Sequence, residues 1–133
     1  SANRYANGAR RRALVARVRA MGEPCHICGL PIPPDAPAGT PLAFELDELV
    51  PVSRGGSPVD FENTAGSHRV CNQWRSNKSV ELVAQIRSEV LKRFGGWSSP
   101  LQFTEWPVNF EGSKVINRSD TSPEEVEWDD LTE

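Results

Sequence analysis

The chain has 133 residues, 38% of them hydrophobic and 25% charged, values that are ordinary for one globular domain. No apolar run approaches the ~20 residues of a membrane span and no signal-peptide pattern opens the chain, so we expect a cytoplasmic protein. Three cysteines are an odd number, which argues against a disulfide framework and favours a metal site in a reducing compartment.

The net charge of -3 conceals an uneven distribution along the chain. Residues 1–20 carry six arginines and no acid, whereas residues 120–133 carry seven acids and no base, so the residues before 120 sum to +4. A basic body with an acidic tail is typical of proteins that bind polyanions such as DNA. We therefore expect Arg10, Arg11 and Arg12 to contact phosphates, although an amphipathic helix with a solvated charged face is the alternative.

The first predicted element is a helix over residues 9–21. Leu14, Val18 and Met21 fall at positions i, i+4 and i+7, which places them on one helical face.

The middle of the chain predicts two strands and a long helix. Residues 42–50 form a strand candidate that Pro51 ends, and a weaker signal places a second strand at residues 63–67. A helix follows over about residues 70–94, broken near residues 77–79, where a serine can cap its second part.

Two ligand pairs frame the two strands. Cys25-x-x-Cys28 has the form of a zinc knuckle, and His68-x-x-Cys71 follows after 39 intervening residues. Three sulfurs and one imidazole suit a tetrahedral structural zinc ion, which would clip the ends of the intervening segment together. His26 is a competing nitrogen ligand, but its place inside the knuckle favours an exposed position. A redox cysteine pair with His68 free is the other alternative.

A second set of side chains offers oxygen ligands. Asp47 and Glu48 lie between the two zinc pairs, Asn63 follows, and Asn72 comes directly after the last zinc ligand. Hard oxygen donors favour Mg²⁺ or Mn²⁺ over zinc. Taken singly, these are common surface, turn and cap residues, but their register between the zinc pairs favours a site. Because adjacent residues on a regular strand face opposite sides, Asp47 and Glu48 can share a site only if the strand twists or ends there.

Residues 23–79 resemble the HNH endonucleases, and the pattern is similar to that of phage-type members in which the third zinc ligand can be histidine. The resemblance implies a small α+β fold, with a zinc-stabilised ββα-metal core and flanking helices. It also implies a phage-associated enzyme that hydrolyses DNA phosphodiester bonds, with structural Zn²⁺ and catalytic Mg²⁺ or Mn²⁺ as cofactors. It rests on Cys25-x-x-Cys28, Asp47-Glu48, Pro51, Gly55-Gly56, Asn63 and the closing His68-x-x-Cys71-Asn72-x-x-Arg75.

The resemblance also implies residue roles by position. Asp47 and Asn72 would bind the catalytic divalent ion. Asn63 would brace the loop that carries the catalytic pair. Arg75 and Lys78 would contact phosphates of the DNA.

One position departs from the family pattern, because Glu48 stands where the general-base histidine is expected. A carboxylate can accept a proton, but its ordinary pKa of ~4.3 makes it a weaker base than imidazole at ~6.5. Glu48 could be the base, an extra metal ligand, or a sign of impaired catalysis. Contacts with the DNA backbone carry little sequence information, so we expect nicking or weakly specific cleavage. The alternative is a non-catalytic zinc module that binds DNA or a protein partner.

The acidic C-terminal tail has three interpretations. Apolar residues set among its acids suit a docking peptide that folds on a protein partner. A DNA mimic that shields the basic helix and a solubilising terminus are the alternatives. The segments we expect are a basic N-terminal helix (1–22), an HNH core with its C-terminal helix (23–94), a partly packed extension (95–116) and a disordered or weakly helical acidic tail (117–133).

Overall fold

The computed structural model describes residues 7–105 and three further short strands between residues 108 and 127. Within residues 7–105, a two-stranded antiparallel sheet packs with four helices, which confirms the predicted α+β class. None of the helices in the described part of the chain is both long and apolar enough to cross a membrane.

The first helix, α1, spans Gly8–Ala20 and packs on the sheet through Leu14 and Val18, which cluster with Leu46. The prediction that Met21 extends this apolar face is wrong, since the residue lies past the end of the helix and is 50% exposed. Its backbone N–H bonds to the Val18 carbonyl three residues back, so the last turn tightens and the helical spacing is lost.

Two strands form the antiparallel hairpin that carries the candidate site. Strand β1 spans Phe44–Glu48 and strand β2 spans Thr64–His68, with Leu46 opposite Gly66. Both predicted strands are therefore confirmed, with β1 shorter than expected. A Cβ at Gly66 would lie 2.6 Å from the Phe44 ring, so the close approach of that ring requires glycine here.

Helix α2 spans Arg69–Arg75 and begins directly after β2, and helix α3 spans Val80–Phe94. The predicted break between them is confirmed. Ser79 caps α3 by accepting a hydrogen bond from the Leu82 amide over 3.1 Å. Gly95 ends α3 at a φ of 78°, a left-handed conformation that glycine adopts without a steric penalty.

Helix α4 spans Pro100–Glu105 and closes one end of the core. The Phe103 ring lies 4.7 Å from the Trp97 ring and 5.1 Å from the Trp74 ring, measured between centroids. Trp97 also donates from Nε1 to the Cys28 carbonyl over 2.8 Å. The aromatic cluster therefore covers the cysteine knuckle with apolar surface.

Three short strands form a second antiparallel sheet in the order β3-β4-β5. They span Val108–Glu111, Lys114–Asn117 and Glu125–Glu127, and Val115 pairs with Val126. Residues 125–127 therefore form a strand, whereas the acidic composition of this segment predicts disorder or a weak helix. Composition alone contains no information about pairing with another strand. The rest of the tail from residue 118 onward lies outside the described residues.

Candidate functional site

Four buried side chains converge where the cysteine knuckle meets the junction of β2 and α2. The Sγ atoms of Cys25, Cys28 and Cys71 and a ring nitrogen of His68 all lie within 4.8 Å of one another. All four residues are at most 2% exposed. The predicted Cys-x-x-Cys and His-x-x-Cys pairs therefore form one group that can hold a structural zinc ion.

The distances inside this group fit a tetrahedral zinc ion. Nδ1 of His68 lies 3.4 Å from the Cys28 sulfur and 3.8 Å from the Cys71 sulfur. Sulfur at ~2.3 Å and nitrogen at ~2.0–2.1 Å from one tetrahedral ion would lie about 3.6 Å apart. The spacing of these donors matches that value.

Hydrogen bonds around the group orient its ligands. Nε2 of His68 donates to the Pro31 carbonyl over 2.9 Å, which leaves the Nδ1 lone pair facing the cysteines. The Ile27 amide donates to the Cys25 sulfur over 3.4 Å. Such contacts fix the imidazole tautomer and stabilise thiolate charge, as expected around a metal site.

Hydrogen bonds among the three thiols shift their pKa values in opposite directions. Hydrogen bonds from Cys28 and Cys71 lower the pKa of Cys25. The bond to Cys25 raises the pKa of Cys28 to about 11 and raises that of Cys71 as well. The pKa of each thiol therefore depends on the protonation of the other two.

His26 lies beside the zinc-type group without joining it. Its Nε2 donates to Oδ2 of Asp47 over 2.7 Å, and its side chain is only 19% exposed. The expectation of an exposed His26 is wrong, because the knuckle bonds to the hairpin through the His26 amide and the Gly66 carbonyl. That bond turns the imidazole toward Asp47.

Asp47 is 9% exposed and its Oδ2 atom accepts two hydrogen bonds. One comes from His26, and the other comes from Nη1 of Arg75 over 2.5 Å. Both donors fix the orientation of the carboxylate. The positive charge of Arg75 offsets its negative charge in a largely dry environment.

Arg75 itself is 1% exposed, and its guanidinium makes several hydrogen bonds. Besides Asp47, its guanidinium donates to the carbonyls of Glu48, Leu49 and Lys78 over 2.7–2.9 Å. The implied contact between Arg75 and phosphate is therefore wrong for this conformation. The physical reason is that β1 ends at Glu48, and the carbonyls beyond it need donors that the sheet no longer supplies.

Lys78 also turns inward. Its Nζ donates to the Trp74 carbonyl over 2.7 Å and lies 4.6 Å from the centre of the Trp74 ring. Burial lowers the pKa of Lys78. The expected phosphate contact would have to compete with these interactions, so Lys78 is a weaker candidate than its position in the motif implies.

Replacing Arg75 with methionine should destabilise the fold by about 3–5 kcal/mol, because Asp47 would keep a buried charge without its partner. The midpoint of urea unfolding, followed by circular dichroism on zinc-loaded protein, measures this loss. Lys92→Met, at an exposed position of α3, is the matched control and should change the midpoint little. Equal stability of the Arg75 and Lys92 variants would contradict the role given to the guanidinium.

Asn72 lies on the same side of β1 as Asp47. Its Nδ2 donates to Glu45 over 3.1 Å, and Glu45 and Asp47 are two residues apart on one face of the strand. Arg69 also pairs with Glu45, over 2.7 Å. Sequence reasoning missed Glu45, although the two-residue period from Asp47 was a signal for it, and it considered His26 only as a competing zinc ligand.

Glu48 faces the other side of β1. It pairs with Nη2 of Arg11 over 2.8 Å, while Nη1 of Arg11 donates to the Pro58 carbonyl over 2.6 Å. The structure therefore does not bring Glu48 together with Asp47. The strand remains regular through Glu48, so the ordinary alternation of side chains separates the two carboxylates.

Asn63 holds the loop that follows β1. Its Oδ1 accepts from the Val50 amide over 3.0 Å, and its Nδ2 donates to the carbonyls of Val50 and Ser57, each over 2.9 Å. A Cβ at Gly56 would lie 1.7 Å from the Val50 carbonyl oxygen, so only glycine fits beside this bridge. These contacts tie the loop between Val50 and Ser57 to Asn63. The bracing role that the resemblance implies for Asn63 stays a prediction.

The arginines predicted to contact phosphates differ in their surroundings. Arg10 and Arg12 are exposed on α1. The Arg11 guanidinium forms an ion pair with Glu48 and donates hydrogen bonds to the carbonyls of Pro58 and Leu46. The expected set of three therefore splits into two surface cations and one that anchors α1 to the hairpin.

Comparison of this chain with protein-family models, with curated proteins and with solved structures found no match.

Proposed function

We propose that the chain is a zinc-stabilised, divalent-metal-dependent endonuclease of the HNH type, which nicks DNA or cleaves it with weak specificity. The observation that carries the proposal is the placement of Asp47 and Asn72. Both stand at ligand positions of the motif, and both lie on the side of β1 where His26 and α2 also lie. A hairpin followed directly by a helix supports a ββα-metal core.

Zinc in this proposal is structural. The Cys25, Cys28, His68 and Cys71 group supplies four protein ligands and is buried, so it offers no open position to a substrate. Its role is to fix the knuckle against the start of α2, and thereby to set His26 beside Asp47.

The catalytic ion would be Mg²⁺ or Mn²⁺, held by Asp47 and Asn72. The hydrogen bonds described for Asp47 use Oδ2, and that of Asn72 uses Nδ2, so Oδ1 of each residue takes no part in them. One carboxylate and one amide oxygen suit Mg²⁺, which keeps several of its waters. The ion, when bound, would polarise the scissile phosphate.

Other residues of the site would act by positioning. His26 and Arg75 orient the Asp47 carboxylate, and Asn63 holds the loop beyond β1. In this role none of these three residues would contact the DNA bases. Contacts confined to phosphates carry little sequence information, so cleavage would be weakly specific.

Supercoiled plasmid provides the test of the proposal. Zinc-loaded protein should convert it to the nicked form when Mg²⁺ or Mn²⁺ is added, and should leave it intact without an added divalent ion. Protein without an added divalent ion is the appropriate blank, because a strong chelator would also remove zinc. Absence of nicking with either ion would contradict the proposal.

Replacing Glu48 with glutamine should leave the nicking rate within about fivefold of the natural rate, the effect expected from one partly exposed ion pair. Glu48 faces Arg11 across the strand from Asp47, so it anchors α1 and does not serve as the base. Arg11→Gln removes the same ion pair and should have a similar effect. A loss of about 10²–10⁴-fold in the Glu48 variant alone would restore Glu48 as general base.

A second candidate function is a non-catalytic zinc module that binds DNA or a protein partner. The observation that favours it is that both motif carboxylates are already paired with arginine, Asp47 with Arg75 and Glu48 with Arg11. This module would bind DNA without nicking it in Mn²⁺. The plasmid assay combined with a binding assay separates the two functions.

A further inference from the structure

A groove between α1 and the loop before β2 lies outside the site described above. It is open to solvent and has a volume of about 580 Å³, and its lining includes Arg10, Arg17, Asp60 and Phe61. This volume falls within the ~300–1,000 Å³ range of ligand sites and exceeds what a single small anion needs.

Arg17 and Phe61 form a stacked pair in the groove. The guanidinium carbon of Arg17 lies 3.8 Å from the centre of the Phe61 ring. Such stacking holds the planar guanidinium in place and leaves its N–H edge and its second face available. A planar, positively charged platform of this kind suits a nucleic-acid base beside a phosphate.

The donors of two groove arginines are unused. Within residues 7–105, the structure gives the side chains of Arg10 and Arg17 no hydrogen bond or ion pair, whereas the side chains of neighbouring Arg11 and Arg19 bond to carbonyl groups. The Asp60 carboxylate accepts a hydrogen bond from the Glu62 amide over 3.3 Å, so part of the negative charge that Asp60 brings to the lining is already engaged. The groove is therefore net positive, with free guanidinium donors.

The spacing of the two arginines favours a chain-like ligand. Arg10 and Arg17 are seven residues apart on α1, which corresponds to about 10 Å along the helix axis. An extended polyanion can contact both cations, whereas one small anion is poorly placed to do so. Because α1 packs on the Leu46 side of β1, this groove faces away from Asp47.

We propose that this groove binds a single-stranded segment of nucleic acid, with phosphates on Arg10 and Arg17 and an unpaired base stacked on the guanidinium of Arg17. The proposal rests on the proposed function only in taking nucleic acid as the ligand. A base must leave its duplex stack to reach the platform, so the groove prefers single strands to duplex.

Fluorescence anisotropy with a labelled single-stranded oligonucleotide tests the proposal, using zinc-loaded full-length protein without Mg²⁺ or Mn²⁺. The double substitution Arg10→Gln and Arg17→Gln should reduce the slope of log affinity against log salt by about 1.4, at ~0.7 per phosphate contact. At about 0.05 M salt this corresponds to a loss on the order of 50-fold. Lys92→Gln, exposed on α3, is the control and should leave the slope unchanged.

The Phe61→Leu variant tests the platform separately. It keeps apolar volume but removes the cation–π partner, so binding should weaken about 3–10-fold with an unchanged salt slope. The natural protein should bind the single-stranded oligonucleotide more tightly than the matching duplex. Inorganic phosphate at equal total charge should not displace the oligonucleotide. An unchanged salt slope in the arginine double variant, or preference for duplex, would overturn the proposal.

The outcomes for this groove are distinguishable from those for the hydrolytic site. Loss of single-strand binding in the double variant of a protein that never nicks plasmid would support the groove and reject the endonuclease. Unchanged binding in the double variant of a protein that nicks through Asp47 would reject the groove and leave the endonuclease standing.

Discussion

Cys71→Ser is expected to lose its zinc and to unfold the core of the protein. The sulfur of Cys71 is fully buried and belongs to a group of four donors within 4.8 Å of one another. Structural zinc contributes about 10–16 kcal/mol in small zinc-finger peptides. Domains of this size are stable by only about 5–15 kcal/mol, so the loss of zinc removes most of the stability.

Elemental analysis and circular dichroism of purified protein measure this effect, with one zinc ion expected per natural chain. The two histidines supply a matched pair of variants. His68→Ala should lose zinc as Cys71→Ser does, while His26→Ala should retain it, because His26 bonds to Asp47 and lies outside the group. A Cys71→Ser protein that lacks zinc and still unfolds cooperatively would show that the metal is dispensable.

Asp47→Asn is expected to lower plasmid nicking by about 10³-fold or more, since a bound metal ion contributes several kcal/mol to the transition state. The amide keeps the shape of the carboxylate but removes the charge that holds the ion. It also leaves Arg75 without its buried partner, so zinc content and the unfolding midpoint must be measured in parallel.

Two further variants separate chemistry from stability. Asn72→Ala leaves the pair between Asp47 and Arg75 intact and should still lose most nicking. Asp35→Asn changes one exposed carboxylate in the loop before β1 and should retain the natural rate. If Asn72→Ala nicks as the natural protein does, Asn72 is not a ligand of the ion.

The zinc-type group and the main elements of the core could be predicted from the sequence. In Cys25-x-x-Cys28 and His68-x-x-Cys71 the two ligands of each pair are three residues apart. Each pair therefore comes together within a single turn, independently of the rest of the fold. The break between α2 and α3 could also be predicted, because its signal is local in sequence. A serine before a helical pattern supplies a cap whatever the surrounding fold.

The arrangement around Asp47 could not be predicted in the same way. A motif gives the chemical type of a residue, but not whether the strand stays regular at that point or how deeply the residue is buried. Arg75 is drawn inward by carbonyls at Glu48 and Leu49, which are remote in sequence and become neighbours only when α2 folds onto β1. Glu48 turned away from Asp47 because β1 stays regular to its last residue.

The most direct measurement of the proposed function is the rate of plasmid nicking by zinc-loaded natural protein in Mn²⁺, determined beside Asp47→Asn protein of equal zinc content. The proposed site predicts nicking by the natural protein and a loss of about 10³-fold in the variant. Equal rates for the two proteins, or no nicking by the natural protein while it still binds DNA, would contradict it.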